Sequence, residues 1–349
     1  MQIYFAPLEG ITGFLFRNIY HEYFGEGMDK YFTPFLVPTG GGFTKHRSMK
    51  DILPEYNVGI PIVPQLLSNN AEDFIGLTKI LADFGYKEVN LNLGCPYQTV
   101  VSKGRGSGFL AKPDELERFL EEIFEGCKDL ADISVKTRIG LNSEEEWEGL
   151  LSIYNKFPLK ELIVHARTRK DFYGGKPNIE AYEYAVENSR NPLCYNGDIF
   201  TKADYDRFYV NHREAESEKS YVNHKETENE HGYVNQCKTE SIMIGRGFLV
   251  NPGLLREIRG GEVITKKEMM AFHDRLYSEY FTLMQSDTNT LYKMKELWNY
   301  WQYLFTSKEK PMAKYIKQIR KAQKGRDYEA AARELFAACE IKEGASFEG

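Results

Sequence analysis

The sequence of 349 residues contains no apolar run that approaches the roughly 20 residues of a membrane-spanning helix. Its first residues, Met-Gln-Ile-Tyr-Phe-Ala-Pro, lack the basic segment and long apolar core of a secretory signal peptide. The five cysteines are scattered, odd in number and without a Cys-x-x-Cys pair, so they support neither a disulfide framework nor a zinc site. We therefore expect a cytoplasmic protein with reduced thiols and no metal.

The chain also lacks an excess of positive charge, because 51 Asp and Glu outnumber 45 Lys and Arg and the net charge is −6 at pH 7. This balance argues against a polyanionic partner unless basic residues are concentrated on one surface. One segment does concentrate them: residues 293–326 contain ten Lys or Arg against two Glu, a local excess of +8. Within it, lysines recur at spacings of three and four, on one face of a helix predicted over residues 313–324: Lys314, Lys317, Lys321 and Lys324. A solvated face and a phosphate-binding face both fit this pattern.

Short apolar runs alternate with longer amphipathic segments over most of the chain. Eight strands are predicted, at Ile3 to Ala6, Phe32 to Val37, Ile62 to Gln65, Glu88 to Leu93, Ile133 to Thr137, Leu162 to Ala166, Leu193 to Asn196 and Ile242 to Ile244. Helices are predicted between them, at 13–23, 71–84, 113–127, 144–157, 179–188 and 202–208. This order predicts an α/β fold, a parallel sheet closed as a (β/α)8 TIM barrel. The alternative, a doubly wound open sheet, is disfavoured because no Gly-x-Gly-x-x-Gly follows the first strand.

The alternation stops after Gly261. Only helices are predicted beyond it, at 268–284, 291–304, 313–324 and 328–341. The sequence therefore predicts two domains, a TIM barrel over residues 1–261 and a small all-α domain over residues 262–349.

A polar unit of twelve residues repeats just before the eighth strand, with copies that begin at Tyr209, Tyr221 and Tyr233. Removing residues 209–232 would join Phe208 to Tyr233 and restore the usual distance between the seventh and eighth strands. We interpret the segment as two extra copies inserted in the barrel. So polar a repeat cannot bury a core, and a solvated extension is favoured over a binding element.

Polar or glycine residues follow seven of the eight predicted strands. In a TIM barrel these ends share the face that carries the active site. Lys136 stands out, because lysine is rarely buried without a partner and its neighbours mark a buried strand. Glycines after the seventh and eighth strands lie where such barrels commonly bind phosphate, at Asn196-Gly197-Asp198 and Gly245-Arg246-Gly247.

The segment from Asn90 to Gly108 is a strand followed by a glycine-rich loop. Cys95 lies at the end of this strand, between a glycine and a proline. A lone cysteine is often structural, because it behaves as a small apolar residue. Here two asparagines precede it, and a loop with Lys103, Arg105 and three glycines follows. This composition predicts a thiol that faces a ligand.

Together these segments resemble the tRNA-dihydrouridine synthases, flavoenzymes that reduce a uracil ring in transfer RNA. The resemblance rests on Ala6-Pro-Leu-Glu-Gly10, Pro64-Gln-Leu66, Asn90-Leu-Asn-Leu-Gly-Cys-Pro96, Val135-Lys-Thr-Arg138, Val164-His-Ala-Arg-Thr168, Asn196-Gly-Asp198 and Ile244-Gly-Arg-Gly247. The Gly-Cys-Pro loop is the most specific of them. Leu8 departs from the methionine that the family often has, which conserves apolar volume.

The resemblance implies bound FMN, reduced by NADPH or NADH. Pro7, Leu8 and Glu9 would lie along the flavin ring, with Gln65 at its polar edge and Lys136 at its pyrimidine end. The ribityl chain and phosphate would be held by His165, Asn196, Gly197, Asp198, Gly245 and Arg246.

The resemblance also implies the chemistry and the substrate contacts. Hydride would pass from reduced flavin to C6 of uracil, and Cys95 would give a proton to C5, a role that suits a thiol with an ordinary pKa of about 8.5. Asn92 and Arg138 would bind the uracil carbonyls. The remaining RNA contacts would come from Lys103, Arg105, Arg167 and the four lysines of residues 313–324. The target base must be flipped out of the folded RNA.

Three classes of function compete at this point. The favoured one is an FMN-dependent reductase of a tRNA uridine that acts as a monomer. The second is an FMN-dependent TIM-barrel dehydrogenase for a free pyrimidine-type molecule, which has no use for a basic helical domain. The third is an RNA-binding protein without catalysis, against which Cys95, Lys136 and His165 argue.

Overall fold

The computed structural model describes residues 1–39, 42–43, 49–209 and 239–347. The chain divides into two compact units. The first takes in Met1–Pro7, Asp29–Gly197 and Arg207–Met243; the second takes in Leu8–Met28, Asp198–Asp206 and Ile244–Gly349. The predicted insertion at 209–232 lies, apart from Tyr209, outside the described residues, as does Cys237. The domain boundary predicted after Gly261 stays a prediction.

Strands of the described residues follow one another along the chain as β1 (Gln2–Phe5), β2 (Lys30–Phe32), β3 (Pro38–Thr39), β4 (Gly42–Phe43), β5 (Ile62–Val63), β6 (Gln65–Leu66), β7 (Glu88–Leu93), β8 (Asp132–Gly140), β9 (Leu162–Thr168), β10 (Leu193–Asn196), β11 (Thr239–Ile244), β12 (Phe305–Thr306) and β13 (Glu340–Ile341). Nine of them form one sheet in the order β5-β2-β1-β11-β10-β9-β8-β7-β6. The two outermost strands, β5 and β6, are consecutive in the chain and separated by Pro64 alone, which has no N–H for a ladder. The sheet therefore closes on itself, and the predicted barrel is confirmed.

The α-helices are α1 (Phe14–Phe24), α2 (Ala71–Asp83), α3 (Gln98–Val101), α4 (Pro113–Cys127), α5 (Trp147–Tyr154), α6 (Ile179–Asn188), α7 (Arg246–Val250), α8 (Leu254–Ile258), α9 (Lys266–Met284), α10 (Asp287–Trp301), α11 (Met312–Lys321) and α12 (Gly325–Ala338). Residues 202–209 are helical too. Short 3₁₀ turns lie at Pro54–Tyr56, Gly106–Ala111, Glu144–Glu146 and Gln302–Leu304. The small all-α region predicted at the C-terminal end is confirmed by α9 to α12, with β12 and β13 as an unpredicted antiparallel pair.

Local sequence explains where several helices begin. Pro113 occupies the first position of α4, where its missing N–H has no intrahelical partner to lose. Thr201 and Asp204 form a capping box at the start of the helix over 202–209, since the Thr201 N–H donates to Asp204 Oδ2 at 3.0 Å and the Asp204 N–H donates to Thr201 Oγ1 at 3.1 Å. Two backbone groups at the helix start are thus satisfied by side chains.

Several predicted elements differ from the structure in their bounds, and two of them show why. The second strand was predicted from Phe32 to Val37, but it runs from Lys30 to Phe32 because Pro34 interrupts the backbone ladder. Only Leu36 pairs again, through a single bridge to Leu66. The helix predicted over 144–157 is a 3₁₀ turn followed by α5, which ends at Tyr154.

The barrel interior is layered. Its middle layer is apolar and consists of the buried side chains Tyr4, Ala6, Phe32, Val63, Ile163, Cys194 and Met243. Below it, near the N-terminal ends of the strands, lies a polar network that the sequence analysis missed. Lys30 Nζ donates to Glu88 at 2.7 Å, Ser134 Oγ donates to Glu88 at 2.7 Å, and Asn90 Nδ2 donates to Ser134 at 2.9 Å.

Glu161 is the most perturbed carboxyl of this lower layer. Its Oε1 accepts hydrogen bonds from Ser241 Oγ at 2.5 Å and Tyr4 Oη at 3.3 Å, whereas its buried Oε2 has no hydrogen-bond partner. Burial raises the pKa of Glu161 to about 7. The folded chain therefore holds a proton that the unfolded chain releases near pH 4.5.

We expect the free energy of unfolding to fall between pH 4.5 and pH 7, because only the unfolded state has lost this proton there. Glu161→Gln keeps an acceptor for Ser241 and cannot ionise. Relative to the parent, it should gain on the order of 3 kcal/mol between pH 5 and pH 8, measured by urea unfolding at both values. Parallel pH curves for variant and parent would contradict a buried, protonated Glu161.

The second unit is held by aromatic packing. Phe272 of α9 contacts Phe16, Tyr20 and Phe24 of α1, with ring centroids 5.2 to 6.3 Å apart. On the neighbouring turn, His273 Nε2 lies 2.7 Å from Tyr328 Oη. Helix α1 therefore belongs to the unit that contains the C-terminal helices, although it precedes the second strand in the chain.

Candidate functional site

Strand register places several predicted site residues of the first unit beside one another on neighbouring strands. Asn92 on β7 pairs with Lys136 on β8, and His165 on β9 pairs with both Arg138 on β8 and Asn196 on β10. Lys136 is also the register partner of Ile163, which lies in the apolar core. These side chains therefore line the inner face of the barrel at the C-terminal ends of its strands, as predicted.

Gln65 is held by two asparagines. Its Nε2 donates to Asn90 Oδ1 at 2.8 Å, and its Oε1 accepts from Asn92 Nδ2 at 2.7 Å. Gln65 and Asn90 are buried almost completely. An amide has two N–H donors and an oxygen with two lone pairs, so Gln65 keeps one donor and one acceptor position for a ligand.

The loop that bears Cys95 is fixed by side chains that bind the backbone of Cys95. Asn92 Oδ1 accepts from the Cys95 N–H at 2.9 Å, and Ser107 Oγ donates to the Cys95 carbonyl at 2.8 Å. Gly106 has a φ of +55°, and a Cβ there would lie 2.9 Å from the Cys95 oxygen. A Cβ at Gly108 would lie 2.6 Å from the Val101 oxygen. Two of the glycines after the cysteine are therefore required by close approach of the backbone.

Lys136 has no hydrogen-bond or ion-pair partner among the described residues, and its side chain is half-buried. Burial and the nearby Arg138 guanidinium lower the pKa of Lys136 to about 8, while Cys194 and Cys95 act in the opposite direction. A cation held without a partner inside a barrel is costly unless a ligand compensates it. Lys136 is thus the strongest ligand-binding candidate of the layer.

Arg138 and Arg167 are buried and are used first of all to hold a loop. Arg138 donates to the carbonyls of Gly94, Thr168 and Phe172 at 2.9, 2.6 and 2.6 Å. Arg167 donates to the carbonyls of Gly174 and Gly175 at 3.0 and 2.6 Å and lies 3.3 Å from His165 Nε2. The loop after β9 is therefore clamped from within, a role that the sequence did not reveal.

In the second unit, Arg246 is paired with Asp198 at 2.7 Å. Its guanidinium also lies over the rings of Phe200 and Phe347, 5.5 and 5.2 Å from their centroids. The two predicted phosphate-site residues are thus brought together. Phe347 was not predicted, because nothing near the C-terminus of the sequence points back to Arg246.

The Leu8-Glu9-Gly10 segment forms a tight turn in the same unit. The Ile11 and Thr12 N–H groups both donate to the Leu8 carbonyl at 3.0 Å. Lys293 Nζ donates to the Gly10 carbonyl and is also paired with Glu296. Helix α10 therefore fixes the turn that carries the predicted flavin contact Glu9.

The four predicted RNA-binding lysines are exposed, and none has an ion-pair partner among the described residues. Lys314, Lys317 and Lys321 lie on α11, which ends at Lys321. Lys324 was wrongly placed on the same helix; it is the N-cap of α12 and lines a cleft of about 690 Å³ with Tyr277 and Arg326.

Two kinds of feature are absent from the described part of the chain. No group of three or more His, Cys, Asp or Glu side chains there is arranged to hold a metal ion. No helix there combines the length and the apolar character of a membrane-spanning segment.

Comparison with known proteins gives a consistent result. Residues 4–212 match the sequence model of the dihydrouridine synthase (Dus) family. A probable tRNA-dihydrouridine synthase of Staphylococcus aureus (strain MRSA252) is 26% identical over 277 residues, which cover 79% of this chain and 77% of that protein. The tRNA-dihydrouridine synthase B of Pasteurella multocida (strain Pm70) is 23% identical over 285 residues, 81% of this chain and 76% of that one.

Among solved structures, histamine dehydrogenase from Rhizobium sp. 4-9 superposes with a TM-score of 0.50 at 11% identity. The match covers 74% of this chain and 45% of the other, so this chain spans about half its length. A likeness of this extent supports the barrel fold alone.

Proposed function

The chain belongs to the dihydrouridine synthase family, whose members are oxidoreductases, and from this premise we propose that it reduces the C5=C6 bond of a specific uridine in tRNA. The product is 5,6-dihydrouridine, FMN is the bound cofactor, and NADPH or NADH is the reductant. The observation that carries the proposal is that the fixed Cys95 loop and Lys136, which has no ion-pair partner in the described part of the chain, both lie at the C-terminal end of the barrel strands.

The residues present fit an FMN cofactor. Lys136 offers a charged donor without a partner in the described chain, and Gln65 keeps one donor and one acceptor position. We propose that they hold the polar edge and pyrimidine end of the flavin, with Pro7, Leu8 and Glu9 along the ring. The ribityl chain and phosphate are assigned to the set His165, Asn196, Gly197, Asp198, Gly245 and Arg246. When bound, the cofactor would supply the hydride for C6 of uracil.

The chain's own groups account for the rest of the reaction. Cys95 gives a proton to C5, and its loop is held in place by Asn92 and Ser107. Asn92 keeps one unused amide N–H, and Arg138 uses three of its five N–H donors on carbonyls. These free donors are assigned to the uracil carbonyl oxygens, where negative charge builds up as C6 is reduced.

A dehydrogenase for a free pyrimidine-type molecule is the second candidate. The exposed lysines of α11 and the basic residues Lys103 and Arg105 favour RNA, because RNA offers backbone phosphates to several cations at once and a free pyrimidine offers none. The two functions are separated by one assay. Purified protein should contain FMN and convert a uridine of unmodified tRNA to dihydrouridine with NADPH, detected by mass spectrometry. Turnover of free uridine or UMP without turnover of tRNA would establish the second candidate instead.

The exposed lysines make a quantitative prediction about salt. Each lysine–phosphate contact releases condensed counterions, so log affinity falls linearly with log salt. Changing Lys317 and Lys321 to glutamine should weaken tRNA binding at low salt and flatten this slope by roughly 0.7 to 0.9 per lost contact. The matched control is the double change of Lys112 and Lys128, exposed lysines that flank α4 in the barrel. Equal slopes for both double variants would reduce the α11 lysines to a solvated face.

A further inference from the structure

Two aromatic side chains project to solvent beside the Cys95 loop. Tyr97, two residues after Cys95, is 51% exposed, and Phe172, in the loop after β9, is 38% exposed. Their rings meet edge to face with centroids 5.3 Å apart. Most other large aromatic side chains of the first unit are buried or half-buried. An exposed pair of this kind beside Cys95, the proposed proton donor, points to a binding role.

The backbone of Phe172 strengthens this interpretation. Its φ is +55°, a left-handed conformation that glycine adopts freely and a bulky side chain rarely does. The carbonyl of Phe172 accepts from Arg138, and the Phe172 N–H donates to the Arg169 carbonyl at 3.1 Å. The surrounding loop therefore enforces a strained conformation at a position where a large apolar ring is retained. Such strain is characteristic of functional sites.

The two loops that carry the rings are tied together and carry positive charge. Arg169 Nη2 donates to Gln98 Oε1 at 2.7 Å, and its Nε donates to the Pro96 carbonyl at 3.3 Å. Exposed lysines without an ion-pair partner among the described residues follow on the same loops: Lys103, Lys170 and Lys176. Asp171 accepts from the Thr168 N–H and hydroxyl at 2.8 and 2.7 Å. Aromatic rings set among cations are the pattern of single-stranded nucleic-acid binding.

We propose that Tyr97 and Phe172 form a stacking platform for an unpaired nucleotide that neighbours the reduced uridine. The proposal rests on the proposed function and narrows its substrate to a uridine in a single-stranded RNA loop. A T-shaped pair leaves ring faces open, and every base offers a π-face, so the platform binds by stacking rather than by sequence. Arg169 and the neighbouring lysines meet the phosphates on either side.

The test combines kinetics with a spectroscopic signal of stacking. Tyr97→Ala and Phe172→Gly should each raise KM for tRNA by roughly 5- to 150-fold, the usual effect of removing an aromatic side chain on which a base stacks. The change in kcat should be much smaller. Phe172→Gly relieves the backbone conformation, so it should fold as well as the parent. Tyr97→Phe should restore the parent KM. Val58→Ala, at an 80% exposed position before β5, is the control and should change nothing.

The probe is an RNA hairpin whose loop holds one uridine between two 2-aminopurines. Its fluorescence should be quenched by the parent and by Tyr97→Phe, and much less by Phe172→Gly. Quenching without formation of dihydrouridine would support the platform and reject the proposed function. The platform would be overturned if all variants formed dihydrouridine at the parent KM and quenched the probe as much as the parent does. The proposed function would then stay intact. Equal binding of a fully paired duplex would also overturn it.

Discussion

Replacing Cys95 by alanine is expected to lower the rate of uridine reduction by roughly 10²- to 10⁴-fold, the usual contribution of a positioned general acid. The change removes the thiol group, and with it the proton proposed for C5. The hydrogen bonds that fix the loop use the backbone N–H and carbonyl of Cys95, and alanine retains both. Flavin content and flavin reduction by NADPH should therefore stay at parent values. Single-turnover reduction of tRNA by pre-reduced enzyme is the measurement.

The matched control is Cys127→Ala, which removes a thiol that is fully buried at the end of α4. It should leave the rate of tRNA reduction unchanged, although stability falls somewhat as the core loses volume. Parent-like single-turnover rates for Cys95→Ala would assign Cys95 a structural role, and the proton to C5 would then come from another group.

Replacing Lys136 by methionine is expected to weaken FMN binding by roughly 10- to 100-fold, the cost of losing a hydrogen bond to a charged group in a buried site. Methionine keeps much of the apolar volume of the lysine chain. The measurement is the Kd of FMN for flavin-stripped protein, from the quenching of flavin fluorescence. An unchanged Kd would mean that Lys136 does not contact the flavin.

The lowered pKa of Lys136, about 8, gives this prediction a pH signature. The lysine is charged below that pH and neutral above it, and the proposed contact with FMN requires the charged form. Affinity for FMN should therefore be constant below pH 8 and fall by up to about tenfold per pH unit above it. Lys136→Arg, which stays charged, should abolish the fall. Lys136→Met should bind weakly at every pH, and a decline in this variant would place the titrating group elsewhere.

The cofactor and substrate assignments remain proposals for individual residues, but the structure already sets limits on them. Asn92 Oδ1 already accepts hydrogen bonds from the Gly94 and Cys95 N–H groups. Asn92 can therefore act toward uracil only as a hydrogen-bond donor. Arg138 and Arg167 both serve as clamps, and replacing either would release carbonyls of the loop that carries Phe172. Variants of these arginines would combine binding and folding effects, which makes Cys95 and Lys136 the cleaner positions to test.

What the sequence by itself determined is local. The helices α4 and α6 have the predicted bounds, 113–127 and 179–188. Their signals, a proline at the first position or a periodic apolar pattern, lie within a single segment of the sequence. The family motifs marked the Cys95 loop and Lys136 for the same reason, since each is a short run of residue types. The strand predicted over 32–37 was wrong because Pro34 ends the strand, although the residues around it are apolar.

Only the tertiary structure decided which distant groups meet. Glu161 becomes a proton-holding carboxyl because the fold buries it, although the hydrogen bonds from Tyr4 and Ser241, 157 and 80 residues away, act in the opposite direction on its pKa. The register of β8 and β9 sets Lys136 beside Ile163, an apolar neighbour without a counter-charge, and Arg138 binds the carbonyl of the left-handed Phe172. Burial, charge pairing and backbone strain depend on separations of a few ångströms between residues far apart in sequence. Residue order and periodicity do not contain those separations, so the fold alone fixes the electrostatics of this site.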